Sequence, residues 1–349
     1  MSVIILKPDE IGDFVIATGA IRLLAQRHGE EETTLVVKSE IAPLARREFP
    51  RATIIELPWQ ARRKGHNQTA ANIRHCFPAW RRLLSLRVDQ SICLRSQRNY
   101  LQTLFFAAPG ARQRFAPENV LLLNGRWRRR AAEKLLLVLA RPQILPYPEL
   151  PGDPTSELAS NRAVVSAALG REVEAVEIMP SLQSVSWRGG GGWLLCPFSS
   201  RLGKDFSVVN WASTLRAAVP AHSPRVIRVA GGPSQSARLE QFATSLVAEG
   251  IGCPVEVEPP SPLENFPDKV AVADLVLTVD TAAAHFACAC RAPAVIVASG
   301  LHEGVYGPYS PDGRQRWLFG DWAARGREGW QETVPPDAVA AEISRALQL

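Results

Sequence analysis

The stretch ADLVLTVDTAAAHFACA, Ala273 to Ala289, decides the fold class. Its apolar run, Leu275 to Val279, is short, rich in β-branched residues and bounded by polar ones, the pattern of a buried strand. The alanines that follow favour a helix, and Thr281 is placed to cap its start. Asp280 and Thr281 therefore fall where a strand's carboxyl end meets a helix N-terminus. Open α/β sheets bind ligands at such joints, and helix N-termini attract phosphate. The plain alternative is an ordinary strand–loop–helix joint with a capping Asp-Thr pair.

The same alternation extends in both directions. Upstream, strands are expected at Trp193 to Cys196, Val226 to Ala230 and Val255 to Glu258, and downstream at Ala294 to Ala298. Helices are expected at Val208 to Val219, Ser234 to Glu249, Leu263 to Val272 and Ala282 to Cys290, with a terminal amphipathic helix from Pro335 to Leu349. An earlier series holds strands at Val3 to Leu6, Thr34 to Val37, Thr53 to Leu57 and Gln90 to Leu94. Its helices are Phe14 to Arg27, Ile41 to Phe49, Ala79 to Leu86, Tyr100 to Ala107, the apolar end of Asn124 to Ala140, and Ser156 to Leu169. Alternating strands and helices imply parallel sheets covered on both faces. Arg141 to Pro154, with five prolines, reads as irregular. The sharper break is Ser184 to Gly192, which ends in four consecutive glycines. Two consecutive Rossmann-like α/β domains, residues 1–183 and 184–349, with a cleft between them, are therefore predicted.

A chain of 349 residues is long enough for two cores. Hydrophobic content of 46% with 21% charged residues is that of a globular protein. VIIL is only four apolar residues before Lys7, Asp9 and Glu10, so no signal peptide is expected. No apolar run approaches the roughly 20 residues of a membrane helix. Six scattered cysteines without a C-x-x-C pair read as free thiols in a reducing cytosol. Net charge is +6, unevenly spread: Trp59 to Arg141 holds seventeen Lys/Arg against three Asp/Glu. Such asymmetry points to an anionic partner for the first half, against the plain reading of a solvated Arg-rich surface.

Several chemistries are excluded by what the motifs lack. No G-x-G-x-x-G follows a strand, which argues against a standard NAD or FAD site. PFSSRLGKD has Phe198 where a P-loop needs glycine and Asp205 where it needs Ser/Thr. His302-Glu303 lacks the second histidine of a metalloprotease. No Asp-x-Asp is present to seat a metal on a nucleotide diphosphate.

Four features remain, each at a strand end. KPDEIGDFVIATGAIRLL (Lys7 to Leu24) places Gly12, which permits an unusual backbone or a close approach, beside Asp13. PFSSRLGKDFS (Pro197 to Ser207) supplies hydroxyls and cations, the donors a phosphate wants. AGGPSQSAR (Ala230 to Arg238) is a glycine turn opening a helix. The fourth is the opening stretch, continued by ASGLHEGVYGPYSPDG.

In this order the four resemble glycosyltransferase family 9, the heptosyltransferases of bacterial lipopolysaccharide synthesis. The resemblance rests on Ile11-Gly12-Asp13, Ser199-Ser200 before Lys204, the Gly-Gly-Pro turn, Ala273 to His285, and Gly307-Pro308-Tyr309. It implies the two-domain GT-B fold, the first domain for acceptor and the second for nucleotide sugar, with the terminal helix able to pack back on the first. It also implies inverting transfer with no metal or cofactor, from a donor such as ADP-heptose to an anionic saccharide or glycolipid. By position, Asp13 is implied as general base, Lys204 with Ser199 and Ser200 as diphosphate ligands, and Asp280 and Thr281 as nucleotide-positioning residues; His285 is implied as helix support. Two departures touch the donor: Ala282 stands where glycine is usual, and Gln235 where an acid is. Gly12, Arg62, Arg63 and Lys64 are assigned to the acceptor. A cytoplasmic enzyme in peripheral contact with the inner membrane, and no nucleic-acid partner, is the expectation. The alternatives are the same fold with another donor or epimerase-like activity, and a catalytically silent nucleotide- or nucleic-acid-binding protein.

Overall fold

The computed structural model describes every residue except 59–67, 97, 99, 119–126, 146–155, 202, 310–311 and 349. The chain divides into two compact units, Met1–Pro180 and Ser181–Leu349. Each is built on one parallel six-stranded sheet, so the chain is an α/β protein of the expected Rossmann-like class.

In the first unit the elements run β1 (Val3–Leu6), α1 (Ile11–His28), β2 (Thr33–Lys38), α2 (Ala42–Glu48), β3 (Thr53–Leu57), α3 (Gln68–Ser85), β4 (Arg87–Cys93), α4 (Tyr100–Ala107), β5 (Gly110–Pro117), α5 (Trp127–Ala140), β6 (Gln143–Leu145) and α6 (Ser156–Leu169). The sheet order is β3-β2-β1-β4-β5-β6. β1 pairs on both sides, Leu6 opposite Val36 and Cys93. All four of its residues are buried, which is why a central parallel strand reads as one apolar run.

In the second unit they run β7 (Trp193–Cys196), α7 (Val208–His222), β8 (Ile227–Val229), α8 (Ser236–Ala248), β9 (Val255–Val257), α9 (Phe266–Ala271), β10 (Leu275–Val279), α10 (Ala282–Cys290), β11 (Ala294–Ala298), β12 (Gln315–Phe319), α11 (Trp322–Gly329) and α12 (Pro336–Leu347). The sheet order is β12-β11-β10-β7-β8-β9. Every residue of β10 and β11 is buried. Each fully buried Leu, Ile or Val contributes about 1.5–3 kcal/mol relative to exposure, so these central strands anchor the unit. α12 packs on α7, β11 and β12 of its own unit.

Three strands escape the periodicity reading. β5 (GARQRFAP) carries two arginines and a glutamine, and only three of its eight residues are buried. β6 is three residues beside a proline-rich run. β12 lies at a sheet edge with four of five residues only partly buried. In each the strand is selected by pairing with a neighbour and not by its own apolar pattern. α1 also starts three residues earlier than expected, taking Gly12 and Asp13 into its first turn.

Gly19 shows how tightly the first unit closes. A Cβ there would lie 2.2 Å from the Met179 carbonyl oxygen and 2.5 Å from that of Ile178. Both are backbone atoms of the segment that follows α6, so α1 and this segment meet without a side chain between them. Gly19→Ala is therefore expected to destabilise by about 1–3 kcal/mol, the usual cost of overpacking, read as a lower urea midpoint with unchanged slope.

Candidate functional site

The strand orders place the chemistry. In the second sheet the chain leaves β7 towards β8 and β9, then returns to β10 and proceeds the opposite way. Ligands bind at this kind of reversal, beyond the strands' carboxyl ends. The loop after β7 brings Lys204 there, and the turn after β10 brings Asp280.

Their side chains meet. Lys204 Nζ is hydrogen-bonded to Asp280 Oδ2, and the two side chains are only 6% and 7% exposed. Gly203 makes the turn that aims the lysine: its φ is +88°, a conformation L side chains rarely adopt. Trp330, fully buried, donates from Nε1 to the Gly203 carbonyl at 2.7 Å and fixes the loop. Asp205 closes the loop, accepting from Ser199 N at 2.6 Å and from Arg238 at 2.8 Å. Arg238 in turn lies 3.6 Å above the Phe198 ring.

A third member comes from the loop after β11. His302 Nδ1 lies 3.5 Å from Asp280 Oδ2 and 3.3 Å from Lys204 Nζ. Its Nε2 lies 3.1 Å from Arg201 Nη1. Burial by itself raises the Asp280 pKa; the hydrogen bond from His302 and the Lys204 charge outweigh it and hold the carboxyl well below its ordinary range. Asp280 is thus an anion, and Lys204 is its counter-ion.

Asp280 stands just before α10. Thr281 is the N-cap residue, with extended backbone, but its side chain makes no capping hydrogen bond. The expected Thr281 cap is therefore absent, and the helix start keeps the positive end of its dipole uncapped by that hydroxyl. His285, buried one turn on, packs against Tyr306 at 5.4 Å and Tyr309 at 5.7 Å between ring centroids. It joins the helix to the loop carrying His302. Ala282 is half-buried at the first helical position.

Other predicted residues take local roles. Ser199 Oγ accepts from Arg201 N at 3.2 Å, and Ser200 is exposed on the same loop. Gln235 ends a short 3₁₀ turn, and its Oε1 accepts from Gly232 N at 3.0 Å.

The first unit repeats the arrangement between β1 and β4, where its chain also reverses. Lys7, 1% exposed, donates to the Leu94 carbonyl at 2.7 Å and pairs with Asp9 at 2.9 Å and Glu157 at 2.7 Å. Arg95, after β4, pairs with Asp9 from the other side. Asp13 is half-buried in the first turn of α1, three residues past the N-cap residue Glu10. Gly12 lies in that same turn without a positive φ, so the unusual backbone expected of it is not adopted. Arg62, Arg63 and Lys64 lie outside the described residues.

Sequence reasoning missed His302 and the Lys7–Asp9–Arg95–Glu157 network. In the sequence His302 reads only as half of a metal motif; its position shortly after the strand beside β10 is the signal that marks it. Nothing local marks Glu157, which reaches Lys7 across 150 residues.

No curated protein matches the chain in sequence. Among solved structures, E. coli heptosyltransferase WaaC with ADP superposes with a TM-score of 0.71 at 18% identity, covering 99% of this chain and 100% of that one. WaaC with ADP-2-deoxy-2-fluoro heptose gives 0.68 at 17%, covering 99% of each chain. E. coli ADP-heptose lps heptosyltransferase II gives 0.67 at 16%, covering 100% and 99%. At such identities the likeness establishes the shared fold. The model of glycosyltransferase family 9 (heptosyltransferase) matches residues 154–328. That is half the chain, and it contains Lys204, Asp280 and His302. The chain belongs to glycosyltransferase family 9, the heptosyltransferase family, and is a glycosyltransferase.

Proposed function

We propose that this enzyme transfers heptose from ADP-heptose to an anionic saccharide or lipopolysaccharide-core acceptor, with inversion and without a metal ion. The observation that carries the donor half is the buried Lys204–Asp280 pair, with His302, at the β7/β10 reversal beside the uncapped start of α10. A nucleoside diphosphate gains negative charge as it leaves. Lys204 and the α10 N–H groups are the donors at hand to stabilise that charge, by the logic of an oxyanion hole. Support for the nucleotide comes from the related fold of WaaC, seen with ADP and with an ADP-heptose analogue. Ser199, Ser200, Thr281 and Ala282 complete the phosphate and nucleotide contacts. With its Oε1 engaged by Gly232, Gln235 presents amide N–H donors to a ribose where an acid would present acceptors.

The first unit takes the acceptor. Asp13 is the general base: a carboxylate is too weak to ionise a sugar hydroxyl beforehand, so it accepts the proton as the new C–O bond forms. Gly12, Arg62, Arg63 and Lys64 serve the acceptor, the cations matching its phosphates and carboxylates. A glycolipid acceptor places the enzyme at the inner face of the plasma membrane.

A thermal-shift panel of nucleotides tests the donor assignment. ADP at 100-fold over its Kd should add about 2.7 kcal/mol to stability, whereas UDP, GDP and NAD should leave the melt unchanged. No response to any nucleotide would sink the donor reading; a response to UDP alone would move the enzyme to another donor.

A further inference from the structure

His302 holds a second cation beside the buried pair. Its ring draws together three loops: Arg201 and Lys204 come from the loop after β7, Asp280 from the turn after β10, and His302 itself from the loop after β11. A guanidinium can only donate hydrogen bonds. At 3.1 Å from Arg201 Nη1, the His302 Nε2 must therefore be the bare, accepting nitrogen. The ring proton then sits on Nδ1, facing Asp280 Oδ2 at 3.5 Å; Lys204 Nζ, 3.3 Å from the same Nδ1 and itself only a donor, directs its proton to that carboxylate and not to the ring. One neutral tautomer thus satisfies Arg201 and Asp280 together, and Tyr306 fixes the ring edge-on at 5.5 Å between centroids.

Charge counting gives the arrangement its meaning. Lys204 and Asp280 cancel, so the buried pair offers an incoming anion no net positive charge. His302 is neutral. Among the described residues Arg201 is the uncompensated cation of this cluster, and it is exposed. A carboxylate partner would position an arginine but cancel its charge; a neutral imidazole positions it and leaves the charge intact. Holding a long, flexible side chain in advance also removes part of the ordering cost of ligand binding.

We infer that His302 is a positioning residue that presents Arg201 as the second, uncompensated cation for the donor's diphosphate. The inference rests on the donor-site reading above and names the residues that give the site its net charge.

Calorimetric titration with ADP, and with adenosine as a phosphate-free control, tests it on the full-length protein. Arg201→Ala should weaken ADP by about ten- to a hundred-fold, the range for losing a charge-assisted hydrogen bond, with adenosine unchanged. His302→Ala should lose a similar factor, and the double variant no more than Arg201→Ala alone. His302→Gln keeps an acceptor near the Nε2 position and should restore most of the affinity. His302→Asn keeps only a donor near Nδ1 and should not. Independent, additive losses would overturn the inference, as would equal effects of Gln and Asn or an equal loss of adenosine. Failure of the unaltered protein to bind ADP would instead remove the donor-site reading, and this inference with it.

Discussion

Replacing Asp13 by alanine is expected to lower kcat by about 10²–10⁴ while ADP binding stays at its unaltered strength. The split follows from the fold. Asp13 belongs to the first turn of α1 in the first unit, and the residues proposed to hold the nucleotide all belong to the second. The substitution removes an acid from a helix start, which costs about 0.3–1 kcal/mol through the helix dipole, so the protein remains folded. Single-turnover rates with saturating donor, alongside calorimetric ADP affinity, check both halves. Turnover at the original rate would eliminate Asp13 as the base. Loss of ADP binding together with turnover would show that the variant perturbs more than proton transfer.

Removing either partner of the Lys204–Asp280 pair is expected to produce the largest loss of stability. Each alone leaves a buried charge uncompensated, at a cost of about 3–5 kcal/mol. The paired substitution Lys204→Met with Asp280→Leu should recover most of that stability, because two apolar side chains need no counter-charge. It should not recover transfer, because the proposed phosphate ligand is gone. Urea midpoints and transfer rates on the same four proteins separate the structural role from the functional one. Recovery of both would show that the pair serves the fold alone.

The pair also sets a pH limit. The folded-state pKa of Asp280 is held below its ordinary value, so its stabilisation is fully present above about pH 3.9, the unperturbed aspartate value. It is lost as pH falls through the lower, folded value. Asp280→Asn should therefore cost stability at neutral pH and show a shallower acid limb than the original protein.

Legibility in the sequence tracked burial and locality. Val3–Leu6, Leu275–Val279 and Ala294–Ala298 are continuous apolar runs because central parallel strands are covered on both faces. β5, β6 and β12 are half-exposed or short, and their sequences do not declare them. The same division holds at the site. Asp280 and Lys204 stand out beside strand ends, but their contact joins residues 76 apart, and His302 reaches Arg201 across 101. Thr281 had the right residue type for a cap and does not make one. Gly12 had the right type for an irregular turn and is helical instead.

The sequence by itself determined the class of the fold and the strand ends at which polar residues gather, because strand and helix periods and polar residues at strand ends are local properties. The tertiary structure decided which of those residues act together. Sheet order, a property of long-range pairing, brings the ends of β7, β10 and β11 into reach, and only there does Lys204 find its counter-ion and His302 its arginine.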